Sequence, residues 1–420
     1  MQKIVINGGL PLNGSIHISG SKNAALPIMA SCILIDDELK LSNVPHLDDI
    51  DTMSKVLFSL GVNVSKDKDS DNKVTLQYKN NNKSIAEYDL VRKMRASILV
   101  LGPLLARQRE ATVSLPGGCA IGARPVDIHI NALQKLGAEF SLEQGYIKCK
   151  ASKGLFGSKV ELPKISVGAS ENVIMAASLA KGESEICNIA IEPEVMDLID
   201  CLRSMGGKME MSGERAILVQ GVDQMHGTSH SIIPDRIETL TYTIAGLLNA
   251  ESLLIKDTNI DHVKNVLNIL KNLDLNISVR DNEISVQKSS INEGIEIDTC
   301  EYPGFPTDLQ AQMMVLMSLS KKKSIIRENI FENRFMHVPE LNRMGGNIEI
   351  SGKKATIHPC DNFFGAQVMA TDLRASVSLV LAGLVAKGET VLNRVYHLDR
   401  GYENIEEKLH SCGADIKRVQ

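Results

Sequence analysis

Six times along this chain an apolar helical stretch runs into a short turn and then a hydrophobic strand. The segments are Leu60-Gly61-Val62-Asn63-Val64, Leu136-Gly137-Ala138-Glu139-Phe140, Met205-Gly206-Gly207-Lys208-Met209, Leu273-Asp274-Leu275-Asn276-Ile277, Met344-Gly345-Gly346-Asn347-Ile348 and Cys412-Gly413-Ala414-Asp415-Ile416. Their second positions lie 68 to 76 residues apart. A fixed period of this kind means that one supersecondary unit is repeated. Glycine just after the last helical residue stops a helix because it takes positive φ at no steric cost. The fourth copy has Asp274 at that place, and aspartate tolerates the left-handed region less well.

Each copy also holds a second, more apolar helix, opening near Lys22, Leu90, Val167, Arg236, Asp308 and Asp372. Ile174-Met175-Ala176-Ala177-Ser178-Leu179-Ala180 shows the character: apolar on most faces, hence buried. Helices of the first kind, such as Asn404 to Leu409, keep a polar side. Strands such as Val113-Ser114-Leu115 and Ala216-Ile217-Leu218-Val219 run between them. The class is α/β, with strands wrapped around two helices per copy. Six such copies in one open array would be unusual, so they group as two sets of three. That predicts a domain over 22–233 and a second, discontinuous one from 1–21 and 234–420. A cleft between two similar domains is a common ligand site.

Composition excludes several roles. The 420 residues carry a net charge of only −5 with no basic stripe, which argues against nucleic acid as a partner. Aromatics are 4% and tryptophan is absent, so base-stacking platforms are not expected either. No apolar run is long enough to span a bilayer, and Met1 to Gly9 reads as strand and turn, not as a signal peptide. The eight cysteines, at 32, 119, 149, 187, 201, 300, 360 and 412, lack metal-ligand or disulfide spacing. They fit a reducing cytoplasm, mostly as small buried hydrophobes.

Two features point to chemistry. Pro116-Gly117-Gly118-Cys119-Ala120-Ile121-Gly122-Ala123-Arg124-Pro125 is a loop by its glycines and prolines, and a helical pattern over Val126 to Leu136 follows it. A thiol and a guanidinium on such a loop suit a lid over an anionic substrate; an ordinary loop with an inert cysteine is the other reading. Several buried helices open with a cap residue and a charge, at Ser21-Lys22-Asn23, Asp235-Arg236, Thr307-Asp308 and Asp372-Leu373-Arg374. Helix N-termini attract phosphate and carboxylate. The plainer reading is that Asp308 and Asp372 only cap helices and that the arginines are solvated.

In order along the chain stand Gly20-Ser21-Lys22-Asn23-Ala24, Met94-Arg95-Ala96-Ser97, the lid segment through Arg124-Pro125-Val126-Asp127, and Pro234-Asp235-Arg236-Ile237-Glu238-Thr239. Phe305-Pro306-Thr307-Asp308, Glu332-Asn333-Arg334-Phe335, Ala370-Thr371-Asp372-Leu373-Arg374-Ala375 and Leu398-Asp399-Arg400-Gly401-Tyr402 follow. With these segments the whole chain resembles the UDP-N-acetylglucosamine enolpyruvyl transferases, which take the first committed step of peptidoglycan synthesis. The resemblance implies an inside-out α/β barrel of two domains, each of three βαβαββ units. It implies transfer of the enolpyruvyl group of phosphoenolpyruvate to the 3′-hydroxyl of UDP-N-acetylglucosamine, with release of phosphate through a tetrahedral intermediate. Such a reaction calls for a base, an acid and cationic clamps, with neither metal nor cofactor.

By the resemblance, Asp308 is the base at the sugar hydroxyl. Cys119 is the lid thiol, with three roles open: proton donor to C3, covalent nucleophile, or aid to product release. Lys22, Arg124 and Arg400 clamp the phosphate and carboxylate of phosphoenolpyruvate, and Arg334, Asp372 and Arg374 support them. The nucleotide falls to Asn23, Arg95, Ala96, Arg124, Pro125, Val126, Asp127, Ile128, Lys164, Ser166, Val167, Gly168 and Ile330. Glu301-Tyr302-Pro303-Gly304 has no assigned role, and Lys321-Lys322-Lys323 reads as a solvated turn. Among the alternatives, a shikimate-3-phosphate enolpyruvyl transferase would lack the lid cysteine and show a Gly-Asn-Ala-Gly-Thr run, absent here. A non-catalytic paralogue that senses nucleotide sugar has no reason to keep Cys119, Asp308 and Arg400 together. An RNA clamp fits neither the charge nor the aromatic content.

Overall fold

The computed structural model describes residues 2–66, 72–79, 83–92, 94–115 and 126–420. It divides into two compact units, one holding residues 2–19 and 234–420, the other 20–115 and 126–233. Each has its own apolar core.

Among the described residues, six four-stranded sheets, three per unit, share one pairing pattern. In one of them Glu296–Asp298 runs parallel to Ser324–Arg327, which pairs antiparallel with Lys354–His358, which pairs antiparallel with Asn347–Ser351. The chain reaches each outer hairpin from a helix through the repeated turn. The turn residues Gly61, Gly137, Gly206, Gly345 and Gly413 have φ between 92° and 97°, and Asp274 has φ 53°. The sixfold motif is therefore a sixfold left-handed helix stop.

The first residues complete two sheets of the unit formed with 234–420. Lys3–Asn7 pairs antiparallel with both Glu389–Asn393 and Asp415–Val419, and Leu12–His17 lies parallel to Ala250–Lys256. In the other unit Thr228–Ser231 lies parallel to Glu38–Ser42.

Inside each unit the sheets enclose three helices: Lys22–Ser31, Leu101–Gln108 and Val167–Ala177 in one, Arg236–Asn249, Gln310–Ser318 and Ala375–Val385 in the other. Every residue of Gln310–Ser318 is buried, as is every residue after Arg236 in Arg236–Asn249. Polar side chains survive there by turning back on the helix: the Thr241 and Thr243 hydroxyls each donate to the carbonyl four residues earlier at 2.8 Å. The outer helices bury a single stripe. Ile260–Lys271 hides Val263, Val266, Leu267 and Leu270, the spacing of one helical face.

Three expectations need correction. No long helix opens near Leu90; a four-residue turn, Tyr88–Val91, ends there, and Met94 is extended. The inner helix of that copy is Leu101–Gln108, preceded by the 3-10 segment Arg95–Val100. Its start is fixed from outside, because the Gly102 N–H donates to the Asn172 side chain at 2.7 Å. The helices assigned to Asp308 and Asp372 begin later, at Gln310 and Ala375. Ser21 precedes a helix, but its hydroxyl caps nothing. Of the seven described cysteines, Cys32, Cys149, Cys201 and Cys412 are buried, whereas Cys300 is exposed. No helix among the described residues is long and apolar enough to cross a membrane.

Candidate active site

In the unit built from 2–19 and 234–420, three residues singled out from sequence meet. Asp308 lies on the 3-10 turn Thr307–Leu309, just before the buried helix Gln310–Ser318. Its Oδ1 is 2.7 Å from Nη2 of Arg334, and its Oδ2 is 3.5 Å from Nε of Arg374. Both arginines are buried, at 5% and 2% exposure, so neither is solvated. Burial alone would raise the Asp308 pKa. Arg334, then Arg374, outweigh it and hold the carboxyl well below the usual carboxylate range. The Asp308 side chain remains about a quarter open to solvent.

Each arginine is fixed on its far side. Arg374 approaches Asp235 at 3.4 Å, donates to the Gly401 carbonyl at 3.4 Å and lies over the Tyr402 ring at 5.4 Å. Burial pushes the Tyr402 hydroxyl up to about 12, and that group meets Thr241 at 3.0 Å and Gln312 at 3.2 Å. Arg334 donates to the Thr307 hydroxyl at 3.3 Å and covers the Phe331 ring at 5.3 Å.

The capping roles separate cleanly. Asp235 Oδ1 accepts from the Ile237 and Glu238 N–H groups, and Asp372 Oδ1 accepts from those of Arg374 and Ala375. Each such cap contributes about 1 kcal/mol. Asp308 engages guanidiniums instead. Arg400 ends the 3-10 segment Val395–Arg400. His397 on the same segment has its pKa lowered by burial first and then by Arg400, while Asp372 opposes them, so these three groups are neighbours. Ile330 follows Glu328, whose buried carboxylate accepts the Ile330 N–H at 2.9 Å.

In the unit of 20–115 and 126–233, Lys22 opens its helix and pairs with Asp49 at 2.9 Å, both almost fully buried. Asn23, next to it, is half-buried. Arg95 and Ala96 begin the 3-10 segment, and Val126, Asp127 and Ile128 begin the helix Asp127–Lys135. Ser166 caps Val167–Ala177 by accepting from the Ala169 N–H at 3.4 Å, with Val167 and Gly168 in the first turn and exposed Lys164 just ahead. His129 ties these three segments together. Its Nδ1 meets Asn172 at 2.9 Å, and burial, then Arg95, push its pKa down to about 4. A Cβ at Gly168 would stand 3.1 Å from the His129 ring, so glycine lets the ring reach the helix N-terminus. Cys119, Arg124 and Pro125 lie outside the described residues, and the lid reading with them.

Asp49, His129, Asn172 and Glu328 were not singled out from sequence, and Asp235 was marked there only as the cap of its helix. Asp49 left a trace: with Met53 and Val56 it shares one face of Asp48–Ser59, a carboxylate in an apolar stripe. Glu301 to Gly304 turns out to be a tight loop, closed by the Cys300 N–H on the Phe305 carbonyl at 3.0 Å, with Tyr302 against Arg236. In the lysine run, Lys322 pairs with exposed Glu293.

A family model described as EPSP synthase (3-phosphoshikimate 1-carboxyvinyltransferase) matches residues 6–409. The enolpyruvyl transferase NikO of Streptomyces tendae superposes with a TM-score of 0.90 at 23% identity, over 100% of this chain and 99% of that one. EPSP synthase of Acinetobacter baumannii gives 0.76 at 16%, over all of both chains. The chain belongs to the enolpyruvyl transferase family. Within it, a protein of Granulibacter bethesdensis named UDP-N-acetylglucosamine 1-carboxyvinyltransferase is 52% identical over 419 residues, and one of Pelagibacter ubique with the same name is 51% identical over 421. Both matches cover the whole of each chain.

Proposed function

We infer that this chain is an enzyme that transfers the enolpyruvyl group of phosphoenolpyruvate to the 3′-hydroxyl of UDP-N-acetylglucosamine and releases phosphate, in peptidoglycan synthesis. The observation that carries the reading is Asp308, held ionised against two buried guanidiniums in a family of enolpyruvyl transferases. Full-length relatives at half identity carry the name of this activity, whereas the EPSP synthase structures share 16% of residues. That difference favours the amino-sugar nucleotide over shikimate 3-phosphate.

Asp308 accepts the proton of the sugar hydroxyl. A carboxylate held below its usual range is a weak base, so the transfer comes late, as C2 gains oxocarbenium character and the hydroxyl becomes acidic. An incoming phosphate or carboxylate that draws on Arg334 and Arg374 would strengthen the base when it is needed. Lys22, Arg124 and Arg400 bind the two anionic groups of phosphoenolpyruvate. Cys119 supplies the lid thiol. The nucleotide uses Asn23, Arg95, Ala96, 124–128, Lys164, Ser166, Val167, Gly168 and Ile330. Supporting this, the helix Val167–Ala177 offers free N–H groups at an N-terminus, a natural phosphate site. Cytoplasmic work suits the free thiols.

Phosphate release with UDP-N-acetylglucosamine and phosphoenolpyruvate together, and not with shikimate 3-phosphate, is the expected result. A nucleotide-induced thermal shift without phosphate would instead identify a binder.

A further inference from the structure

Glu328 is 1% exposed and follows the strand Ser324–Arg327. Its Oε1 accepts from the Ile330 N–H at 2.9 Å, the Phe331 N–H at 3.0 Å and the Thr299 hydroxyl at 3.0 Å. Its Oε2 accepts from the Thr307 hydroxyl at 2.7 Å. Thr299 Oγ1 in turn accepts the Asn329 N–H at 2.9 Å. Thr307 Oγ1 accepts from Arg334 at 3.3 Å, and Thr307 is joined directly to Asp308. One carboxylate thus holds the 329–331 loop with one oxygen and the turn bearing Asp308 with the other.

We propose that Glu328 is a positioning residue for the transfer, setting the loop that meets the nucleotide in register with the carboxylate that meets the sugar hydroxyl. The proposal rests on the roles assigned above to Ile330 and Asp308. Its chemistry requires a carboxylate. Four donors converge on the side chain, which must accept on both oxygens and donate from neither. An amide of the same shape keeps one acceptor end. If the amide oxygen stays with the loop, the amide nitrogen points a donor at Thr307 Oγ1, which Arg334 already supplies with one. The Thr307 hydroxyl then loses its acceptor, and its link to Arg334 beside Asp308 shifts. Thr299 and Thr307 separate the two halves of the device, one on each oxygen.

The test uses the full-length enzyme, its two substrates and the variants Glu328→Gln, Thr307→Val and Thr299→Val. Losing hydrogen bonds that orient reacting groups costs about tenfold. Glu328→Gln is expected to lower kcat about tenfold and to raise KM for UDP-N-acetylglucosamine about fivefold, with KM for phosphoenolpyruvate within about twofold. Thr307→Val should lower kcat with nucleotide affinity nearly unchanged, and Thr299→Val should weaken nucleotide affinity with kcat nearly unchanged. Nucleotide affinity is read by calorimetry. Unchanged kinetic constants in all three variants, with only the melting temperature lowered, would overturn the proposal. Should Glu328→Gln fail to fold, the opposite responses of the two threonine variants decide. A wild-type protein that releases no phosphate from the substrate pair would defeat the proposed function itself, and calorimetry on Thr299→Val would still report the loop.

Discussion

Arg418 holds Asp399 through two parallel bonds, Nη1 to Oδ2 at 3.0 Å and Nη2 to Oδ1 at 2.6 Å. Asp399 immediately precedes Arg400 on the segment Val395–Arg400, and Arg418 sits on the terminal strand Asp415–Val419. A planar fork on a carboxylate fixes direction as well as distance. Arg418→Lys keeps the charge and loses the fork, so Arg400 is aimed less well. KM for phosphoenolpyruvate should rise roughly three- to tenfold, with that for UDP-N-acetylglucosamine within about twofold. Initial rates over both substrates check this; equal constants would make Arg418 an ordinary surface ion pair.

Lys22 and Asp49 form a pair at 2.9 Å with side chains 6% and 5% exposed. Removing one member of a buried pair strands the other charge, at a cost of about 3–5 kcal/mol. Asp49→Ala should therefore lower the urea midpoint sharply. The double variant Lys22→Met/Asp49→Leu, which buries no charge, should recover most of that loss and release no phosphate, since Lys22 is assigned to phosphoenolpyruvate. A double variant as unstable as the single one would refute this account of the pair.

The repeat was legible because its marks are local. A left-handed stop, an apolar helix and a hydrophobic strand each leave a signature within a few residues, so all six turns could be placed. The second copy misled because Leu90, Val91, Met94 and Ile98 keep a helical spacing through Met94, where the chain is extended, and because Gly102 is held by Asn172 from another helix. No local pattern carries that contact. Nor does any spacing announce that Asp308, Arg334 and Arg374 meet, since Asp308 and Arg334 stand apart within one copy and Arg374 belongs to the next; only the resemblance named them together. Glu328 and Asn172 remained invisible for a like reason: the side chains they meet, Thr299 and Thr307 for one and His129 for the other, stand 21 to 43 residues away.

His129 gives the stability a measurable pH dependence. Its pKa falls from 6.5 in the open chain to about 4 when folded. Between those values the unfolded chain binds a proton that the folded one does not. The contribution of neutral His129 is therefore complete above about pH 6.5 and shrinks as pH falls towards 4. From pH 7 to 5 this group alone removes about 2 kcal/mol. Glu171 and Glu238, raised by burial, act with the opposite sign but are common to wild type and variant. His129→Gln should flatten the difference between urea midpoints at the two pH values; parallel slopes would show that His129 titrates normally.

Cys119 and Cys300 should part by reagent. Cys300 is exposed, so a neutral alkylating agent such as iodoacetamide is expected to label it. A small phosphonate epoxide is anionic and needs the clamps assigned to phosphoenolpyruvate, so it should label Cys119, faster with UDP-N-acetylglucosamine present. Cys119→Asp should abolish that adduct. Peptide mass spectrometry that finds the epoxide on Cys300 would count against the lid assignment.

Asp274 is the one non-glycine among the six turn residues, and its φ of 53° is left-handed. For a side chain with a Cβ that conformation costs about 1 kcal/mol, while glycine adopts it freely but loses more entropy on folding. The two terms oppose each other, and the steric one is larger where φ is fixed by the hairpin that follows. Its N–H still closes the turn on the Lys271 carbonyl at 3.0 Å, a bond glycine keeps. Asp274→Gly should therefore stabilise the unit of 2–19 and 234–420 by a few tenths to about 1 kcal/mol. Gly345→Asp, at the corresponding turn of the next copy, should destabilise by more, because a Cβ there would stand 2.9 Å from the Phe364 ring. Thermal melts of the two variants should move in opposite directions from wild type, and a shift of the same sign in both would mean that the turns are not equivalent.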